Sequence, residues 1–337
     1  MPVNKVYIGL RTGLLTSRGD KLSTEELLIR SIESIWGGGS NDSVVLAGGD
    51  DCAITRTAAR GEELLLTTDQ LVENQHFIRG RHPLEALGTK ALVRSLSDIA
   101  AMGGRPIYVL LSLVLPDWSV GSPLRAFVKG MRNAADIHDL PDLALIGGDV
   151  ARGDLFTTNV TVVGVVPKGK ALRRSGARPG DLVYVSGRLG GSLLGLQRLL
   201  AGKVDMRNRA VRRHCLPTAR LALGTFLREN GVTATIDLSD GLSTDAARLA
   251  KASGVAIRIE AERIPLFQSA TVEDALASGE EYELVFTVPP RIKLPAEHDG
   301  VELTRVGTVE TGSGLLIARA GKTTVLKPSG FDHFGGR

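Results

Sequence analysis

The chain has little of what several protein classes require. Its two cysteines, Cys52 and Cys215, sit in no CxxC pair, so no disulfide framework and no thiolate zinc site is implied. Aromatic residues make up only 4% of the 337 positions, too few for the stacking platforms that hold single-stranded nucleic acid. The net charge is +4, yet no Lys/Arg block concentrates it, so no nucleic-acid footprint is expected. No apolar run approaches the length of a membrane span, and "MPVNKVYIGLRTGLLTSRGD" carries no apolar signal region. These absences point to a cytoplasmic protein without membrane or nucleic-acid partners. The mild basic excess suits an anionic small substrate.

What remains is an alternation of helix and strand signals long enough for two cores. "STEELLIRSIESIWGGG" opens with Ser23 and Thr24 as cap candidates and repeats Leu27, Leu28, Ile32 and Ile35 at helical spacing. Strands are predicted at 63–69, 107–116, 143–149 and 157–167, and helices at 83–106 and 121–138. "PKGKALRRSGARPGD" (167–181) is basic and rich in Gly and Pro, and reads as a connector between two α/β domains. The second half repeats the style. Strand "LVYVSG" (182–187) precedes a glycine-rich turn and a helix, and strand "TATIDLSDG" (233–241) precedes another helix. Further strands are predicted near 255–260, 284–288, 304–309 and 314–318. The division is thus residues 1–24 as a loosely organised extension, 25–166 as the first domain and 167–337 as the second.

Asp51, Asp69, Asp149, Asp237 and Asp240 each follow an apolar strand-like run. A single such Asp is ordinarily a turn or cap residue. The set, flanked by Thr67, Thr68 and Ser239, suggests one ligand edge of an α/β layer. Asp98 lies inside a helix on a stripe of small residues: it is exposed, or paired with Arg94, or points into the same cation site as Asp51 and Asp69. Carboxylates and hydroxyls without a His/Cys set suit a hard divalent cation such as Mg²⁺, which bridges carboxylates to phosphates.

No GxxxxGK[ST] occurs, because Leu316 stands five positions before Gly321-Lys322-Thr323. "SGRLGG" (186–191) lies between strand and helix, where it either approaches a phosphate or forms a tight structural turn. Arg173-Arg174 is a phosphate fork or a solvated linker. His76 is a lone histidine, usually structural. Glu280 and Glu281 read as a solvated turn before a strand.

Eight segments occur in an order that resembles the thiamine-monophosphate kinases, members of the aminoimidazole-ribotide synthetase-like superfamily. They are "GDDCAI", "TTDQLVENQHF", "KALVRSLSDIAAMGGRP", "IGGDVARG", "RRSGARPGDLVYVSG", "IDLSDGLSTD", "GEEYELVF" and "GFDHF". The resemblance runs from about residue 25 to the end. It implies a two-domain α/β (α+β) fold and a homodimer formed through the N-terminal sheet. The implied reaction transfers phosphoryl directly from ATP to thiamine monophosphate, giving thiamine diphosphate, with several Mg²⁺ ions. Asp51, Asp69, Asp98 and Asp149 match the family's metal carboxylates, as do Asp237 and Asp240, with Thr67 and Thr68 beside them. Gly148, Asp149, Arg174 and Ser239 match ATP contacts. His76, Glu280 and Phe331 match positions around thiamine monophosphate.

This sequence departs from the family pattern on the acceptor side. Asn74-Gln75 stand where a glycine is common, Ser278-Gly279-Glu280-Glu281 where Gly-Gly-Glu-Asp is common, and Phe331 where Tyr or Trp is frequent. Two rival readings follow: a superfamily enzyme with another acceptor, and a non-catalytic ATP-binding module. An intact carboxylate set speaks against the second.

Overall fold

The computed structural model describes residues 31–32, 34–35, 44–46, 54–55 and 61–330. The expected N-terminal extension, Asp51 and Phe331 lie outside the described residues. Two short strands, β1 (Val44–Leu46) and β2 (Ile54–Thr55), pair antiparallel. The first domain is built on β3 (Glu62–Val72), helix α1 (Leu84–Ala101), β4 (Arg105–Leu115), α2 (Ser122–Ile137), β5 (Ala144–Arg152) and β6 (Thr157–Pro167). Its four strands run in the order β3-β6-β4-β5, and only β4 and β5 are parallel.

Alternation along β3 sets the orientation of this layer. Leu65, Thr67, Asp69 and Leu71 turn inward, whereas Leu64, Leu66 and Thr68 turn outward. Inward, the sheet meets α1, of whose 18 residues 14 are buried, so the helix is covered on nearly every side. It packs on β3 and β6, on α2, and on elements of the second domain. Glycines permit the tightest of these contacts: a Cβ at Gly88 would sit 1.8 Å from the Phe127 carbonyl oxygen of α2.

The second domain carries β7 (Leu182–Ser186), α3 (Gly191–Leu200), α4 (Arg209–Cys215), α5 (Leu221–Glu229), β8 (Ala234–Asp237) and α6 (Leu242–Ser253). β9 (Ala256–Glu260), α7 (Val272–Ala277), β10 (Leu284–Val288), β11 (Glu297–His298), β12 (Val301–Glu310), β13 (Gly314–Arg319) and β14 (Lys322–Val325) complete it. Its sheet order is β14-β13-β9-β12-β7-β10-β8, antiparallel except for β9 and β13, with β11 added beside β12. Both sheets are therefore mixed, and the ligand-edge rule for wound parallel sheets does not apply to them. Asp69 and Asp149 also lie within their strands rather than at the ends. β3 continues to Val72 because its inward residues keep packing on α1.

The connector is pinned rather than loosely solvated. The Arg173 carbonyl accepts from the Thr235 amide (2.9 Å) and the Arg174 carbonyl from the Ser253 hydroxyl (3.0 Å). Among the described residues no helix is long and apolar enough to cross a membrane.

Candidate active site

A cavity of about 550 Å³ lies where the two domains meet. Asp69 from β3, Asp98 from α1 and Asp237 from the end of β8 line one part of it. Ser239 and Asp240 follow in the loop before α6, and His76 and Glu280 line the remainder. Seven of the residues singled out in the sequence thus share one cavity, although they come from positions 69 to 280.

Hydroxyl donors hold the carboxylates in place. Thr67 donates to Asp98, Ser95 to Asp69 (3.2 Å) and Ser97 to Asp237 (2.8 Å). Burial raises the Asp98 carboxyl pKa, the Asp69 charge raises it further, and Thr67 and Arg174 oppose the rise. Asp237 is pushed well up, first by burial and then by Asp98 and Asp245. Three acids so arranged are short of positive charge. Asp98 is neither exposed nor paired with Arg94, whose guanidinium goes instead to Asp69 (3.6 Å) and Glu280 (3.0 Å). Asp240 pairs with Arg248, and its amide donates to the buried Asp245 (3.0 Å). Burial is the first cause lifting the Asp245 pKa, which reaches about 6.

Glu280 does not belong to a solvated turn. Lys90 Nζ donates to its Oε2 (2.6 Å) and Arg94 Nη1 to its Oε1 (3.0 Å). Burial favours the neutral acid, but Lys90 and then Arg94 hold the carboxyl well below the usual range. Lys90 also meets His214 Nε2 (3.0 Å), whose Nδ1 meets the Ser192 hydroxyl (3.0 Å). Burial and then Lys90 lower the His214 pKa to about 3, so this imidazole is neutral at ordinary pH. His76, on the same cavity, accepts from the Val72 amide through Nδ1 (3.1 Å).

Glu281 is buried too, and it decides the role of the glycine-rich turn. Its Oε1 accepts from the amides of Gly190 (2.8 Å) and Ser192 (3.0 Å) and from the Ser278 hydroxyl (2.7 Å). The start of α3, a candidate phosphate cradle in the sequence, is thus occupied by the chain's own carboxylate. Glu283 is fully buried and is held by Arg213 (2.5 Å), Arg220 (Nε 2.7 Å) and Ser186 (2.5 Å).

Other expected site residues stand apart. Outward-facing Thr68 spends its hydroxyl on Asn159 (2.5 Å) and Thr161 (2.8 Å), so only its backbone faces inward. Gly148 and Asp149 are exposed on the edge strand β5 and do not line the cavity. Two strands separate β5 from β3, a span of roughly 14 Å at normal strand spacing. Arg174 is exposed on the connector, but its charge acts on Asp98. Sequence reasoning missed Lys90, His214 and Ser192, and gave Arg94 no place at the cavity. A buried helix carrying Lys90 and Arg94 one turn apart was the available signal, because buried cations require partners.

Residues 49–166 match the family described as AIR synthase related protein, N-terminal domain, and residues 178–317 match its C-terminal domain. The thiamine-monophosphate kinase of Escherichia coli is 37% identical over 309 residues, covering 86% of this chain and 92% of that protein. The chain belongs to the thiamine-monophosphate kinase family. The Bacillus subtilis member is 33% identical over 313 residues, covering 87% of this chain and 95% of its own length. Among solved structures, that of the kinase from Stenotrophomonas maltophilia superposes with a TM-score of 0.76 at 34% identity, covering 86% of this chain and 95% of the other. A structure described as "AaThiL complexed with AMPPCP and TMP" superposes at 0.73 with 32% identity, covering 92% and 97%.

Proposed function

We propose that this protein transfers the γ-phosphoryl group of ATP to thiamine monophosphate, giving thiamine diphosphate and ADP. One observation carries the reading: Asp69, Asp98 and Asp237 converge on one cavity with Glu280 and His76, in a family member whose structural relative holds an ATP analogue and TMP. The carboxylate end takes the polyphosphate and the Glu280 end the acceptor.

The donor set fits Mg²⁺. Among the described residues no three acidic, His or Cys side chains converge as a finished cage. Mg²⁺ rarely uses one: it takes one or two carboxylates, keeps waters and adds substrate phosphates. Asp69, Asp98 and Asp237 would hold the ions with Asp240, and by the family pattern with Asp51 and Asp149. Bound there, the ions would neutralise phosphate charge.

The protein's own part is positioning. Thr67, Ser95 and Ser97 hold the carboxylates oriented before substrate enters. The acceptor is an ionised phosphate and needs no strong base. Neutral His214 and buried Ser192 then serve the wall of the site, and direct transfer in line needs no protein nucleophile. Ser239 and Arg174 flank the carboxylate end as ATP contacts, with Gly148 by the family pattern, and Phe331 matches a family position around the acceptor. The division into domains at 25–166 and 167–337 is part of the same reading. So is a homodimer joined through the outward face of the first sheet, where Leu64 (50% exposed) and Leu66 (71%) stand open to solvent.

The test is an end-point assay with ATP, Mg²⁺ and thiamine monophosphate, resolving both products chromatographically. Matched formation of thiamine diphosphate and ADP is expected. ADP without thiamine diphosphate would overturn the acceptor and favour another one. Neither product from folded protein would favour a non-catalytic nucleotide-binding module.

A further inference from the structure

Arg94 lines the cavity at the junction of its two ends. It sits one helical turn before Asp98, so both side chains leave the same face of α1. Nη1 donates to Glu280 (3.0 Å) and reaches the Tyr282 hydroxyl (3.4 Å) at the acceptor end. Nη2 faces Asp69 at 3.6 Å, an ion pair but not a hydrogen bond, at the carboxylate end. Nε is buried and has no hydrogen-bond partner. The guanidinium has five donors, and the protein uses those of Nη1 alone. A buried cation left so incompletely satisfied requires an explanation.

The charges around it supply one. Asp69, Asp98, Asp237 and Asp240 share the cavity wall, and Lys90 is committed to Glu280 and His214. A phosphate monoester entering from the Glu280 end meets a wall of carboxylates. Arg94 is the arginine among the described cavity residues that opposes this repulsion. A planar guanidinium suits phosphate oxygens in both charge and shape. On the reading that the acceptor carries a phosphate to be placed beside the γ-phosphate of ATP, we infer that Arg94 binds that acceptor phosphate. It thereby makes the site select phosphorylated thiamine over thiamine itself. Glu280 orients Arg94 from one side and Asp69 from the other, which holds the unused Nη2 donors at the junction.

The test compares wild type with Arg94→Met and Arg94→Lys. Affinities for thiamine monophosphate and for thiamine are measured by calorimetry with Mg²⁺ and a non-hydrolysable ATP analogue present, alongside KM for each substrate. Arg94→Met is expected to weaken thiamine monophosphate binding about 10- to 100-fold, the scale of a charge-assisted hydrogen-bond pair. Thiamine affinity and KM for ATP should change several-fold less than thiamine monophosphate affinity, because they lose only the Arg94 brace on Glu280 and Asp69 and no phosphate contact. Arg94→Lys keeps the charge without the planar fork and should fall between. If Arg94→Met does not fold, the lysine variant's loss of discrimination between the two ligands carries the test. Equal losses for both ligands would reduce Arg94 to a strut for Glu280 and overturn the inference, as would unchanged discrimination. Failure of wild type to convert thiamine monophosphate would instead overturn the functional reading beneath it.

Discussion

Replacing Glu283 by Gln keeps the shape of a fully buried side chain and removes its charge. Arg213 and Arg220 then face a neutral amide in the interior, beside the Ser186 hydroxyl. Burial alone would raise the Glu283 carboxyl, but Arg220 and then Arg213 pull it from 4.5 down to about 2. That difference corresponds to roughly 3 kcal/mol of stability at neutral pH. Stranding the arginines brings the expected loss to about 3–5 kcal/mol. The pH dependence has a definite sign. The folded pKa lies below the unfolded one, so the stabilisation is complete above about 4.5 and is lost as pH falls toward 2. Of the gap between wild type and Glu283→Gln at pH 7, roughly 2 kcal/mol should have gone by pH 3. Urea unfolding of both proteins across that range measures it. A neutral-pH gap under about 1 kcal/mol, or one that does not narrow on acidification, would refute the network as a charge-dependent brace.

Asp69→Asn should cut thiamine diphosphate formation about 100-fold or more, while relief of repulsion with Asp98 and Asp237 leaves the melting temperature unchanged or higher. Near-wild-type turnover in a coupled ADP assay would contradict this. Burial and then Lys90 lower the His82 pKa from 6.5 to about 4, so the unfolded chain takes up its proton first and stability falls as pH drops through that window. Against His82→Phe, wild type should lose roughly 2 kcal/mol more between pH 7 and pH 5, read from denaturant midpoints. Gly88→Ala would ordinarily favour a helix, but here a Cβ would meet the Phe127 carbonyl. A net loss of about 1–3 kcal/mol by thermal unfolding is expected, and a gain would show that α1 and α2 can separate cheaply.

Local pattern was enough for most of the elements. The strand predicted at 157–167 is β6, and the helix predicted at 121–138 is α2 to within a residue at each end. α4 and α5 were not anticipated, because "RAVRRHC" and "LALGTFLRE" are short and flanked by basic or Pro-containing stretches that hide their period. The carboxylates Asp69, Asp98 and Asp237 were also legible, since acids beside strand-like runs or on a small-residue helix stripe are conspicuous wherever they fall.

Their partners were not legible. Ser97 meets Asp237 and Lys90 meets Glu280 across separations of 140 and 190 residues. Spacing in a sequence reports neighbours within a turn or a hairpin, and is silent about contacts that exist only once two domains close on one helix. The same limit explains the glycine-rich turn at 186–191, whose local form allowed a phosphate while folding brought Glu281 to it. So the sequence by itself determined the repertoire: which segments become helix or strand, and which acids stand beside strand-like runs or on a small-residue helix stripe. Tertiary structure alone decided which of those acids share a cavity, which cations are committed to buried carboxylates, and that Arg94 is left with donors to offer. The physical reason is that a buried charge is settled by whatever the fold places within hydrogen-bond reach.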